Sequence, residues 1–212
     1  MKQLNFSHRI KRGFALLEVI LSLAVASLVA VTGSYLINEQ AQDNKARIVG
    51  QQLSVINKAS SDFLIDNGVT ILAEVQADGG LKTYTVTDLK TAGYLPSEME
   101  DVNGYGHTYA LRVREVASGL EALLTTSGGV DPGVKRLSLS MIEASTKLGN
   151  GSQAGILDDN QSVADISGIY GTWSASLSDF GAPNDTRLAT IIELTQTSVI
   201  APYLYRSQVP GH

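Results

Sequence analysis

The stretch RGFALLEVILSLAVASLVAVTGSYLI, residues 12–37, decides how the rest of the chain is read. Behind Arg12 and Gly13 come 24 residues, Phe14 to Ile37, with a single formal charge, Glu18. At about 1.5 Å of rise per residue they make a helix of roughly 36 Å, enough to cross a hydrocarbon layer of about 30 Å. The segment reads as a membrane helix. Its odd member is the carboxylate, because an ionised Glu within lipid costs on the order of 3 kcal/mol unless a cation meets it. A Glu stem is too short to reach water from one turn deep, so Glu18 needs a cationic partner.

A cut after Gly13 would create that partner. Phe14 would become the N-terminus, with its α-amine one helical turn from Glu18 on the i, i+4 ridge, in its own chain or across from a staggered neighbour. The short basic leader, Gly13, aromatic Phe14, Glu18 as fifth residue after the glycine and the unbroken apolar helix together resemble the class III signal of type IV pilins and their minor-pilin relatives. The resemblance implies that a prepilin peptidase cuts between Gly13 and Phe14 and N-methylates Phe14, and that Glu18 is the assembly carboxylate. Two other readings stay open. A secretory signal peptide would use Lys2 to Arg12 as basic region, Phe14 to Leu23 as apolar region and Ala24-Val25-Ala26 as cut site; the Glu and the apolar sequence continuing through Ile37 oppose it. An uncleaved single-span anchor fits the basic residues on the cytoplasmic side but leaves Glu18 unexplained.

The totals bound the remainder. With 212 residues the chain holds a membrane helix and one globular domain. Of its 16 basic residues, Lys2, Arg9, Lys11 and Arg12 lie in the leader; without these four, 12 basic face 21 acidic residues, a formal charge of −9. Such an acidic exported part argues against nucleic acid and anionic lipid head groups as partners. There is no cysteine, so an exported form cannot use disulfides. This departs from many type IV pilins, whose C-terminal region is closed by one.

After Ile37 the helical period continues, with Ile48, Gln52, Val55, Ala59, Phe63 and Ile65 mainly on one side and Asn67-Gly68 as a stop. A helix from Ala15 to Asp66 would be roughly 78 Å long. Its first half belongs in lipid or filament; its second half is amphipathic and needs a sheet to cover it. Gly33 and Gly50, at about 1 kcal/mol each against Ala, mark places to bend or fray. Val69 to Val75 fits either more helix or a strand, and Asp78-Gly79-Gly80 is a turn. Thr87 to Pro96 reads as a capped helical turn closed by Gly93, with Leu89, Tyr94 and Leu95 plugging the core edge.

Asn103-Gly104 and Gly106 make a turn before the strand Thr108 to Glu115, which puts Tyr109, Leu111 and Val113 on one face and Arg112 and Arg114 on the other. Leu120 to Thr126 completes a hairpin. Asp131-Pro132-Gly133 opens a second amphipathic helix with Val134, Leu137, Met141, Ile142 and Leu148 on its apolar face and Lys135, Glu143 and Lys147 off it. Residues 149–155, GNGSQAG, read as a flexible loop. Ile169, Tyr170, Trp173, Leu177 and Phe180 sit among short strands as core or subunit contacts, and Thr186 to Ala201 as a last strand or pair. The class is α+β: a long N-terminal helix, half transmembrane and half amphipathic, packed on an antiparallel sheet. The expected divisions are a leader at 1–13, the assembly half at 14–37, the amphipathic half at 38–67 and a globular domain at 68–212.

The segments TDLKTAGYLP, NGYGHTYALRV and LEALLTTSGG and the closing YLYRSQVPGH resemble the constant N-terminal region of shufflon-type minor pilins of conjugative thin pili. That likeness implies a pilin-like fold and a subunit held in the inner membrane as a single-pass protein before it enters an extracellular pilus. It implies as partners prepilin peptidase, the major pilin and other minor pilins, and the inner-membrane assembly platform. In the family a variable C-terminal segment follows near this point and binds the recipient cell, so a surface glycan is implied through a segment beyond His212. A homotrimer stays open as an assembly state. A type II secretion pseudopilin and a membrane-anchored periplasmic binding protein are the alternatives.

Nothing in the sequence assembles an active site, so no enzyme, cofactor or metal is expected. His8, His107 and His212 lack ligand spacing, and His107 reads as a turn or surface residue. Asp158-Asp159-Asn160 lacks the distal Glu of a calcium loop. Gly128-Gly129 lacks the Lys-Ser/Thr of a phosphate loop, and Asn184-Asp185-Thr186 matches only a short glycan-acceptor pattern. Tyr105, Tyr109, Tyr170 and Trp173 could line a sugar surface, but core packing explains them better.

Overall fold

The structure, a computed structural model, describes residues 7–117, 119–148, 154–156, 165–169 and 171–195. Its contacts divide the chain into two compact units, the first ending at Asp43 and the second opening at Asn44. Helix α1, Ser7–Ala77, contributes to both. In the second unit the elements after it are β1 Leu81–Thr85, α2 Val86–Thr91, β2 Thr108–Val116, β3 Gly119–Ser127, α3 Val134–Leu148, β4 Ala154–Ile156, β5 Asp165–Gly168, β6 Ser174–Ser176, a 3-10 turn at Ser178–Phe180, and β7 Leu188–Thr195. Among the described residues the strands form one antiparallel sheet in the order β1-β2-β3-β7-β4-β5-β6. This is the expected α+β arrangement.

The long helix lies on the sheet because one stripe of it is apolar at helical spacing. Val49, Leu53, Ile56, Leu64, Ile71 and Val75 are each at most 1% exposed and pack on Leu111 and Val113 of β2, Leu120, Ala122 and Leu124 of β3, and Leu188, Ile192 and Leu194 of β7. A polar tie crosses the same layer, Thr190 Oγ1 donating to Asn57 Oδ1 at 2.5 Å. Asn67-Gly68 does not stop the helix. Asn67 Nδ2 donates instead to the Phe63 carbonyl and to Tyr94 Oη at 2.9 and 3.0 Å. Continuing buries Ile71 and Val75, worth about 3–5 kcal/mol together, against roughly 1 kcal/mol for a glycine in the helix. Val69 to Val75 is therefore helix. The end comes at the expected turn, where Gly79 and Gly80 take φ of +83° and +99° and Gly80 N donates to the Val75 carbonyl at 2.7 Å.

Helix α2 is capped two residues earlier than the sequence suggests. Thr85 Oγ1 accepts from Asp88 N while Asp88 Oδ2 accepts from Thr85 N, a reciprocal capping box. Gly93 closes the helix at φ +83°, and Leu89 and Leu95 are buried as expected, with Tyr94 edge-on to Phe63. The β2–β3 hairpin has the expected face, Tyr109, Leu111 and Val113 being at most 3% exposed.

Other expectations change as well. The buried face of α3 is Leu137, Ser140, Met141, Ala144 and Ser145, whereas Val134 and Ile142 stay exposed. Its small residues let α1 approach: a Cβ on Gly50 would lie 2.2 Å from the Ser140 carbonyl oxygen, and Ser140 Oγ donates to the Ala46 carbonyl at 2.8 Å. Gly50 is a helix crossing, not a weak point. Glu143 turns towards α1, accepting from Gln51 Nε2 and pairing with Arg47. The outer sheet face, where Arg112 and Arg114 lie, is covered as well. Leu123, Ile191, Ile166, Leu177 and Phe180 form a second core there, with Trp173 against it. Arg112 donates to the Gly181 carbonyl, and Arg114 pairs with Glu121 and Asp179 and stacks on Phe180 at 4.4 Å. Of the expected 149–155 loop, Ala154 and Gly155 are strand; 149–153, Tyr170 and the chain after Thr195 lie outside the described residues.

Candidate functional site

The candidate site is the opening part of α1. Gly13 and Phe14 fall inside the helical span, and Glu18 follows Phe14 by one turn. From Val19 to Ile37 eleven large apolar side chains are exposed: Val19, Ile20, Leu21, Leu23, Val25, Leu28, Val29, Val31, Tyr35, Leu36 and Ile37, each 56–70%. They surround the helix instead of forming a stripe, the pattern of a helix surrounded by lipid or by other helices. By length and composition this one helix near the N-terminus can cross a membrane.

Its hydroxyls do not spoil that surface. Ser22 donates to the Glu18 carbonyl, Ser27 to Ala24, Thr32 to Leu28 and Ser34 to Ala30, at 2.8–2.9 Å. Each donor is satisfied within its own helix, so none needs water in an apolar medium. The Glu18 carboxylate differs. It is exposed, and among the described residues no side chain pairs with it.

His107 is not at the surface. It is 0% exposed in the turn before β2. Its Nε2 lies 3.0 Å from the Val130 carbonyl and so carries the proton, while Nδ1 accepts from Asn103 Nδ2 at 3.3 Å. Burial lowers its pKa, helped by Arg187 and opposed by the Val130 carbonyl, Asp131 and Asp185. Asn103 Oδ1 also accepts from the backbone N–H groups of Tyr105 and His107. The result is a neutral structural histidine joining the 103–107 turn to the Gly129 turn. Gly129, at φ +67°, has no room for a Cβ beside Tyr105 and His107.

Tyr105 and Tyr109 are 7% and 3% exposed and belong to the core. Thr186 is buried with its hydroxyl on the Pro183 carbonyl and Asp185 accepts from Gly128 N, while Asn184 itself is exposed. Asp158 to Asn160 lie outside the described residues. Among the described residues no group of three or more His, Asp or Glu could hold a metal ion. One feature that sequence reasoning missed is a groove of about 540 Å³ beside α1, lined by Asn57, Lys58, Tyr94, Pro96, Lys147 and neighbours. Its residues come from three distant segments, so no local motif announces it.

Among comparisons with known proteins, the family model described as "Bacterial shufflon protein, N-terminal constant region" matches residues 36–212. No curated protein and no solved structure matches. The matched range begins at Leu36 and so leaves out Gly13, Phe14 and Glu18.

Proposed function

The chain belongs to the bacterial shufflon protein family through its N-terminal constant region, and from this premise we propose that it is a minor subunit of a thin, conjugative type IV pilus. The family is pilus-associated. The subunit waits in the inner membrane, anchored by α1, until prepilin peptidase cuts between Gly13 and Phe14. The N-methylated amine of Phe14 then meets Glu18, in its own chain or a neighbour's. The assembly platform extracts the subunit into a filament with the major pilin and other minor pilins, near the tip, where a variable segment of the family contacts the recipient surface. Its role is structural.

The observation that carries this reading is the all-round exposed apolar helix interrupted only by Glu18. Burying its eleven large apolar side chains is worth on the order of 10–20 kcal/mol. One ionised Glu in lipid costs about 3 kcal/mol, so the acid does not prevent insertion. It acts on register: a subunit packed at the wrong height leaves a buried carboxylate unpaired, again at a cost of a few kcal/mol. The two lines of support are independent, because the family match lies outside the processing signal. That match also favours a pilus subunit over a type II secretion pseudopilin.

The test is the intact mass of the full chain made with and without a prepilin peptidase. The expected product with the peptidase begins at methylated Phe14, and Gly13→Ala or a larger residue abolishes it. A chain that still carries Met1, or that begins at Ser27, overturns the proposal.

A further inference from the structure

The groove beside α1 combines three features. It is lined by α1 between Ser54 and Asp62, by Tyr94, Leu95 and Pro96, and by the end of α3 at Lys147 and Leu148. Asn57 is 4% exposed yet lines it. Its Oδ1 is taken by Thr190, while its amide hydrogens have no acceptor among the described residues. Lys58 is balanced by Asp62 at 2.8 Å, whereas Lys147 has no carboxylate partner among the described residues. The groove therefore holds one unbalanced cation, Lys147, beside Asn57 on an otherwise acidic chain, and it suits an occupant that brings a carboxylate.

Such an occupant follows directly on the groove wall. After Pro96 the chain reads Ser97-Glu98-Met99-Glu100-Asp101, with Glu98 and Glu100 exposed. Asp101 is matched by Lys90 at 2.7 Å; Glu98 accepts from its neighbour Ser97 and from its own backbone N–H but pairs with no cation among the described residues, and among the described residues the Glu100 carboxylate has no partner. The loop meets α1 just before the groove begins at Ser54, since Gln52 donates to the carbonyls of Glu100 and Val102. A surface with an unbalanced lysine in a groove and an acidic loop beside it is complementary to a copy of itself.

We propose that this groove is the docking site for the Glu98–Glu100 loop of a second copy of the chain, with Lys147 and the Asn57 amide receiving the carboxylates. The contact itself does not rest on the pilus reading.

The chain has no cysteine, so single cysteines report the contact cleanly. Full-length Lys147→Cys and Glu100→Cys chains carrying different tags are made together and oxidised, so that any disulfide joining the two tags is intermolecular. The expected yield is at least about tenfold above that of a Thr70→Cys and Glu100→Cys pair. In detergent, light scattering should show association of the wild type, loss in Glu98→Lys/Glu100→Lys, and recovery when Lys147→Glu is added. Equal yields, a triple variant as dissociated as the double one, or a tag joined to a different pilin instead overturns the proposal.

Discussion

Gly50→Ala should destabilise the protein although it improves helix propensity. The added Cβ would stand 2.2 Å from the Ser140 carbonyl oxygen and 2.9 Å from Glu143 Cβ. Carbon–carbon contacts settle at about 3.5–4.0 Å, so α3 would have to retreat by roughly 1 Å. A gap of that size forfeits about a quarter to a half of each contact across it, and overpacking of this kind costs about 1–3 kcal/mol. The Ser140 Oγ bond to the Ala46 carbonyl is strained as well, for about another 1 kcal/mol. Against these stands a propensity gain of about 1 kcal/mol, leaving a net loss of about 1–3 kcal/mol. Urea unfolding of the full chain in detergent, followed by the fluorescence of the sole tryptophan, Trp173, measures it. Gly33→Ala is the comparison: nothing lies within 4 Å of a Cβ there, so stability should hold or rise. A Gly50→Ala chain as stable as the wild type would refute the close-crossing argument.

Glu18→Ala should leave cleavage after Gly13 intact but lower the amount of subunit recovered in sheared pili relative to the membrane pool. Unchanged recovery would remove the carboxylate from assembly. His107 should make stability pH-dependent: its folded pKa lies below its ordinary value of 6.5, so below that pH the unfolded state binds the extra proton and stability falls as pH drops towards the folded pKa. Urea midpoints between pH 7.5 and 5 should show this slope, and His107→Gln should flatten it. Arg114→Ala should cost about 1–3 kcal/mol and red-shift Trp173, because Glu121 loses its partner and Phe180 its stacked cation; a variant with wild-type emission and midpoint would show the outer layer holding without it.

What the sequence made legible depends on whether the determinant is local. The alternation of Tyr109, Leu111 and Val113 and the Asp78-Gly79-Gly80 turn are written in neighbouring residues, and the structure has both. The membrane-length apolar run is legible for the same reason. Contacts between distant segments are not. Gly33 and Gly50 are equivalent by propensity, yet only Gly50 meets another backbone, because α3 brings Ser140 there. The apolar pattern of α3 suggested Val134 and Ile142 as core, while the buried face uses Ser140, Ala144 and Ser145, which carry almost no hydropathy signal. Arg112 and Arg114 were legible as the outer face of β2, but not the 3-10 turn that lands on them some 65 residues later. Asn67-Gly68 fails as a stop for the converse reason: a local rule worth about 1 kcal/mol competes with tertiary burial worth several. A helix-interior glycine facing small residues on a second helix should therefore be read as a crossing before it is read as a break.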